Sequence, residues 1–302
     1  MPCPHFNLSP LFPLLLAGGC LALLPVQAAD PPTDTPPNQS PADFSAWGGA
    51  NTEADSDAMW QPLREKLFGN RTISEGADSR INLEAPTRAE NDALVPVSIR
   101  LQPAAGSDTA ADPVRRVWLV VDVNPAPVGG VFTLTEKRPM EQLTTQVRVN
   151  GYTYIRALAE TQSGRLYMSK QWVKNTGAGC SAPPGIDQAQ HKKRLGKMRL
   201  RMTQGDELSL GQRLQLIISH PNNTGMQKDQ LSTLLIPEHY VTGVRVTFNE
   251  ELLLEAETTF TLSENPNFSF SFDPHESGVL RAEMTDSQHN TSRVETVIQG
   301  PG

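Results

Sequence analysis

The chain has 302 residues, with 26 basic against 33 acidic side chains and a net charge of −7. That balance argues against nucleic acid or an anionic membrane surface as the main partner, and the length allows about two domains. Hydrophobic residues make up 38% and there are 25 prolines, which suits modest β-rich cores with proline confined to linkers and edges.

The N-terminus reads as an export signal over residues 1–28. "LFPLLLAGGCLALLPV" (11–26) is apolar and uncharged, and "VQAAD" follows with Val26 and Ala28 at the −3 and −1 places of a cleavage site. The run is short for a membrane span and is broken by Pro13, Gly18, Gly19 and Pro25. A lipoprotein signal ending at Cys20 is the alternative, but the apolar run continues past Cys20, which fits a soluble product better. Either reading predicts export, most simply to a bacterial periplasm. Residues 29–55 form a polar, Pro-rich leader, expected to be disordered or extended.

"SDAMWQPLREKLFGN" (56–70) then predicts a short amphipathic helix. Met59, Leu63 and Leu67 form a stripe flanked by Trp60 and Phe68. Ser56 or Asp57 is expected as its cap and Gly69 as its end, with Pro62 tolerable only in the first turn. From about residue 81 the pattern turns to strands. "LVPVSIRL" alternates, "VRRVWLVVDV" is apolar on both faces and so central, and "GGVFTLT" follows a turn. Asn150-Gly151 between two strand runs predicts a β-hairpin. "GRLYMSKQWV" is the last strand of this half.

Residues 175–197, "NTGAGCSAPPG" and then a polar stretch, break the rhythm and read as a linker. A second strand series fills 198–302. "KMRLRMT" and "RLQLIISH" come first, then a hairpin turning near Asn249, then "NFSFSFD", "GVLRAEMTDS" and "SRVETVIQ". The expected fold class is all-β, two immunoglobulin-like β-sandwich domains (56–174 and 198–302) with a short N-terminal helix.

Of three cysteines, Cys3 and Cys20 fall in the signal, leaving Cys180. A lone thiol in an oxidising compartment is a liability or a tool. "GAGCSAP" offers no apolar strand or helix to bury it, which points to an exposed, functional thiol. The thiolate is the reactive form and a free Cys has a pKa of about 8.5, so nearby positive charge would favour reactivity. Lys174, His191, Lys192, Lys193 and Arg194 flank the segment in sequence. His220, His239, His275 and His289 are scattered without ligand spacing, so no metal site is expected. No nucleophile elbow or phosphate-binding loop appears, and no cofactor is implied.

The C-terminal half resembles SoxZ through "ISHPNNTGMQKD" (218–229), "IPEHYVTGVRVTFNEELLLEAE" (236–257) and "NPNFSFSF" (265–272). The N-terminal half resembles SoxY through "INLEAPTRAENDALVPVSI" (81–99), "VWLVVDVNPAP" (117–127) and "VKNTGAGC" (173–180). The whole is similar to fused SoxYZ-like carriers associated with quinoprotein (PQQ) alcohol dehydrogenases. The resemblance implies two paired sandwiches in the periplasm, working without catalysis of their own. It implies sulfur intermediates held covalently on Cys180, carried on a flexible arm of Gly177, Ala178 and Gly179, for partner redox enzymes of a sulfur-oxidation or alcohol-dehydrogenase system. An extended chain from Lys174 to Cys180 reaches about 20 Å at roughly 3.4 Å per residue, enough to enter a partner's channel.

The chain departs from SoxY, which ends in Gly-Gly-Cys-Gly-Gly. Here Ser181, Ala182, Pro183 and Pro184 follow the cysteine and the chain runs on, so the arm is a loop tethered at both ends. Two other readings stand beside the carrier: an accessory binding protein of the dehydrogenase system without covalent cargo, and a dimer joined through Cys180.

Overall fold

Among the described residues, the backbone forms one long helix and fifteen strands. The computed structural model describes residues 52–76, 79–102, 112–135, 140–184, 192–204 and 212–300. The expected signal, the Cys20 alternative, nearly all of the leader and His191 lie outside these. Among the described residues no helix is long and apolar enough to cross a membrane.

Helix α1 spans Glu53–Phe68. Its cap is Thr52, not Ser56 or Asp57, because Thr52 and Asp55 form a reciprocal capping box. Ser56 is turned inward instead: its hydroxyl donates to Asp122 Oδ2 at 2.7 Å and accepts from the Tyr154 amide at 2.9 Å. Gly69 ends the helix as expected, with φ 58°. Pro62 sits well past the first turn. The backbone hydrogen bond it removes costs about 3 kcal/mol. Burial of Trp60 and Phe68, at about 1.5–3 kcal/mol each, offsets it against Trp118, Val120, Leu158, Leu166 and Met168. Met59 is only half-buried, so the inner stripe is centred on Trp60.

The N-terminal half contributes β1 (Ile73–Ser74), β2 (Ile81–Glu84), β3 (Val95–Leu101), β4 (Val114–Val121), β5 (Val128–Leu134), β6 (Gln142–Val147), β7 (Thr153–Thr161) and β8 (Leu166–Val173). The C-terminal half contributes β9 (Met198–Gln204), β10 (Gln212–Ile218), β11 (Val241–Phe248), β12 (Glu251–Thr258), β13 (Asn267–Ser271), β14 (Gly278–Asp286) and β15 (Thr291–Ile298).

These strands make two sheets, β1-β8-β7-β4-β5-β12-β11-β14-β15 and β2-β3-β6-β13-β10-β9. Each half supplies two layers, an immunoglobulin-like sandwich of mostly antiparallel strands. The halves are joined edge to edge in both layers: β5 pairs with β12 from Leu134↔Leu254 to Gly130↔Thr258, and β6 pairs with β13 at Leu143↔Phe270 and Thr144↔Ser269. One apolar core runs through the seam, from Ile81 and Val97 through Phe132 and Phe268 to Met284. Pairing covers edge strands that would otherwise be open.

The β11–β12 hairpin turns at Asn249 and Glu250, both at positive φ, as the sequence predicts. The hairpin expected at Asn150-Gly151 does not form. β6 belongs to the six-stranded sheet and β7 to the nine-stranded one, so the turn carries the chain between layers. β7 is buried at every residue and takes β4 and β8 as neighbours, which leaves no edge for β6.

Candidate functional site

The segment after β8 leaves the sheet beside residues 87–89. The Lys174 carbonyl accepts from the Ala89 amide at 2.8 Å, and the Lys174 amide donates to Thr87 O at 3.0 Å. Beyond it the arm is held on both sides. From the N-terminal half, Asp92 Oδ2 accepts from the Thr176 amide at 2.9 Å and from the Thr176 hydroxyl. The Asn175 side chain donates to Gly151 O. The Gly179 amide donates to Val149 O at 3.1 Å, and Arg148 Nη1 donates to Gly179 O at 3.2 Å. From the C-terminal half, Thr224 Oγ1 donates to Cys180 O at 2.6 Å and Gln227 Nε2 to Ala182 O at 3.0 Å.

Cys180 therefore lies in the seam between the halves and is completely buried. This corrects the expectation of an exposed thiol. Glycines and alanines around a cysteine leave it bare only if nothing packs over them, and here both halves do. The flexible arm of Gly177, Ala178 and Gly179 divides. Gly177 and Ala178 are exposed, and a Cβ on Gly177 would meet nothing within 4 Å. Gly179 is clamped: a Cβ there would lie 2.3 Å from both Asp92 O and Val149 O. Glycine at 179 allows two backbones to touch.

Burial pushes the Cys180 thiol up to about 12, and Arg148 pulls it only partly back. In the docked arm the sulfur is thus a neutral thiol. Among the described residues, the positive group acting on it is Arg148. Lys174, Lys192, Lys193 and Arg194 are all exposed. Arg148 is itself 1% exposed. It escaped the sequence reading because alternation with Val147 and Val149 points it at solvent, and only the second half covers that face.

The two jaws were visible as motifs, though not as jaws. "AENDALVP" supplies Asp92. "HPNNTG" supplies Asn222 and Thr224, both buried, with Asn222 at φ 43°. The fold also gathers His220, His239 and Asp286, spaced apart in sequence, so that their ligand atoms lie within 4.8 Å of one another. His239 Nε2 is 2.8 Å from Asp286 Oδ2. The Asn222 amide donates to His220 Nδ1 at 3.1 Å, which places the proton of the neutral ring on Nε2. A metal-bound imidazole needs the opposite arrangement, with the second nitrogen donating. Within this trio only His239 and Asp286 are hydrogen-bonded to each other; His220 Nε2 approaches Asp286 Oδ2 to 3.5 Å without a hydrogen bond, and the acceptor role of His220 Nδ1 speaks against that ring as a metal ligand. Burial and the neighbouring His239 lower His220 to about 4, despite Asp286. Asp286 is held at about 2, where hydrogen bonds from Asn290, His239 and Gln288 outweigh its desolvation.

Comparison with known proteins matches both halves. Residues 64–180 match the family described as Sulfur oxidation protein SoxY, and residues 202–297 match Sulphur oxidation protein SoxZ. Among solved structures, the sulfur carrier protein SoxY from Chlorobium limicola f thiosulfatophilum is 21% identical, covering 40% of this chain and 95% of its own, with a TM-score of 0.33. A superoxide reductase (neelaredoxin) from Ignicoccus hospitalis is 16% identical over 33% of this chain and 82% of its own, with a TM-score of 0.28. Fibronectin(III)-like modules of CbhA from Clostridium thermocellum are 11% identical over 73% and 93%, with a TM-score of 0.23. No curated protein matches the chain. With a SoxY domain ending on Cys180 and a SoxZ domain following it in one polypeptide, the chain belongs to the fused SoxYZ-like sulfur-oxidation proteins.

Proposed function

We propose that this protein is a non-enzymatic periplasmic carrier that holds a sulfur-containing intermediate covalently on Cys180 for partner redox enzymes. The observation that supports it most is positional. The SoxY match ends on Cys180, which is the one cysteine outside the expected export signal of residues 1–28. The partner supplies the chemistry, so the chain needs only a nucleophilic sulfur and an arm that can present it.

Presentation requires the arm to leave the seam. The docked thiol is buried and un-ionised, whereas a released cysteine has a pKa of about 8.5 and reacts as thiolate. Release gives up the bonds to Asp92, Val149, Arg148, Thr224 and Gln227, each worth roughly 0.5–1.5 kcal/mol net. The carrier therefore alternates between a sheltered state and a sparsely populated reactive one. Exchanging cargo with an enzyme means trapping the second.

The burial of Cys180 also favours the other reading, an accessory binding protein for a quinoprotein (PQQ) alcohol dehydrogenase system with no covalent cargo. Leu231, Leu234 and Leu235 are 96%, 70% and 60% exposed, and the latter two line a hollow of about 520 Å³. One pair of variants separates the readings. In the producing cell, Cys180→Ser abolishes the protein's contribution if it is a carrier, with thermal unfolding unchanged. If Cys180→Ser is silent while replacement of the three leucines by serine abolishes the contribution, the carrier reading is wrong.

A further inference from the structure

Burying a charge without a partner is costly, and proteins rarely do it. Arg148 is 1% exposed, yet its Nε has no hydrogen-bond partner. Its other hydrogen bonds go to neutral carbonyls: Nη1 to Gly179 O at 3.2 Å and Nη2 to Asn222 O at a long 3.5 Å. Burial depresses its basicity, and the groups that act against that are the sulfur of Cys180 first and Glu264 second. Cys180 directly follows Gly179, whose carbonyl Arg148 holds, and both side chains are buried, so the guanidinium sits next to a cysteine whose neutral thiol offers it no charge.

We propose that Arg148 is the anion-binding half of the Cys180 site, pairing in the docked arm with a negatively charged group attached to the sulfur. This rests on the carrier reading and adds to it the residue that recognises the charge of the cargo. Guanidinium is suited to the task because it stays charged when buried and presents several donors to an oxyanion. A charged cargo would stabilise the docked arm, so the loaded carrier is the sheltered one and the empty carrier is the one that opens.

The test compares two adducts on the full mature chain. The protein is unfolded in urea and loaded through the thiolate, then refolded. Tetrathionate gives the anionic adduct: the thiolate attacks an inner sulfur, the new S–S bond forms, the central S–S bond breaks, and thiosulfate leaves with the electron pair. Methyl methanethiosulfonate gives the neutral methyl disulfide, with methanesulfinate as the leaving group. A phosphine reductant then strips each adduct, in native protein and in urea, and the ratio of the two rates is the protection factor.

The expected result is a protection factor at least tenfold larger for the anionic adduct in the wild type. In Arg148→Gln that preference falls to about one. Equal protection, or better protection of the neutral adduct, overturns the proposal. So does a failure of the anionic adduct to re-dock its arm, read as a protection factor near one. The wild-type comparison stands even if Arg148→Gln does not fold. Discovery that Cys180 carries nothing in the cell would sink the carrier reading while leaving a measured charge preference intact. A natural adduct without a charge preference would do the reverse.

Discussion

Thr224 donates its hydroxyl to the carbonyl of Cys180 at 2.6 Å, so the SoxZ domain holds down the cysteine of the SoxY domain. Fusion of the two halves in one chain keeps this contact intramolecular, at high effective concentration. The pairs Val149–Gly179 and Arg148–Gly179 complete the clamp from the other side.

The clamp predicts different outcomes for two neighbouring glycines. Gly179→Ala drives a Cβ into Asp92 O and Val149 O, so the arm cannot seat and Cys180 becomes reactive. Native-state labelling by a small alkylating reagent should accelerate by more than tenfold. Gly177→Ala meets only the strain of φ +92° in open space, about 1 kcal/mol, and should accelerate labelling about fivefold. Equal effects would show that the arm is not clamped at Gly179.

The pH dependence of the same labelling follows from the docked thiol. In the folded, docked state the sulfur stays protonated up to about 12, while the released arm ionises near ~8.5. The docked state binds the proton that the released state loses, so docking is at full strength below ~8.5 and weakens as pH rises from there toward about 12. Labelling should keep climbing about tenfold per pH unit through pH 10 rather than level off near ~8.5 as a free cysteine does. A plateau near 8.5 would mean that the thiol is already exposed.

Acid stability should fall in two steps. His220 is lowered to about 4 in the folded protein, below its ordinary value of about 6.5. The unfolded chain takes up a proton first, so stability is lost as pH falls from about 6.5 to about 4, by on the order of 3 kcal/mol. Asp286, held at about 2, adds a second loss between the ordinary carboxylate range and about 2. Urea midpoints measured at pH 7, 5 and 3.5 test this. In His220→Gln the first step should disappear.

The helix is fastened by a buried ion pair. Arg156 Nη2 lies 2.8 Å from Asp122 Oδ2, with the two side chains 1% and 0% exposed, and 2.6 Å from Asp57 Oδ1. Ser56 bonds Asp122, and the guanidinium stacks 5.0 Å from the Trp60 ring. Arg156→Met leaves Asp122 buried without a counter-charge and should cost about 3–5 kcal/mol in chemical denaturation. An unchanged midpoint would show that the pair contributes nothing.

The regular parts of this fold were legible in the sequence because their signals are local. Phe268 and Phe270 alternate with Ser269 and Ser271, and the first pair is buried. The Asn249 turn joins β11 to β12 as its neighbours require. What was not legible depends on contacts made across the seam. Asn150-Gly151 looks like a hairpin turn, but the partners available to β6 and β7 decide otherwise. The burial of Cys180 depends on Thr224 and Gln227, and that of Arg148 on a face covered by the other half. His220 and His239 are distant in sequence and meet only because β10 and β11 end together, with ring centroids 4.6 Å apart.

The central claim is that Cys180 bears cargo, and the most direct measurement is the intact mass of the mature protein. It should be purified from the producing cell without reductant, with the peptide containing Cys180 mapped. The expected result is a discrete, reductant-removable sulfur adduct on Cys180 in a substantial fraction of molecules. Uniformly unmodified Cys180, in protein taken from cells oxidising sulfur compounds, would contradict it.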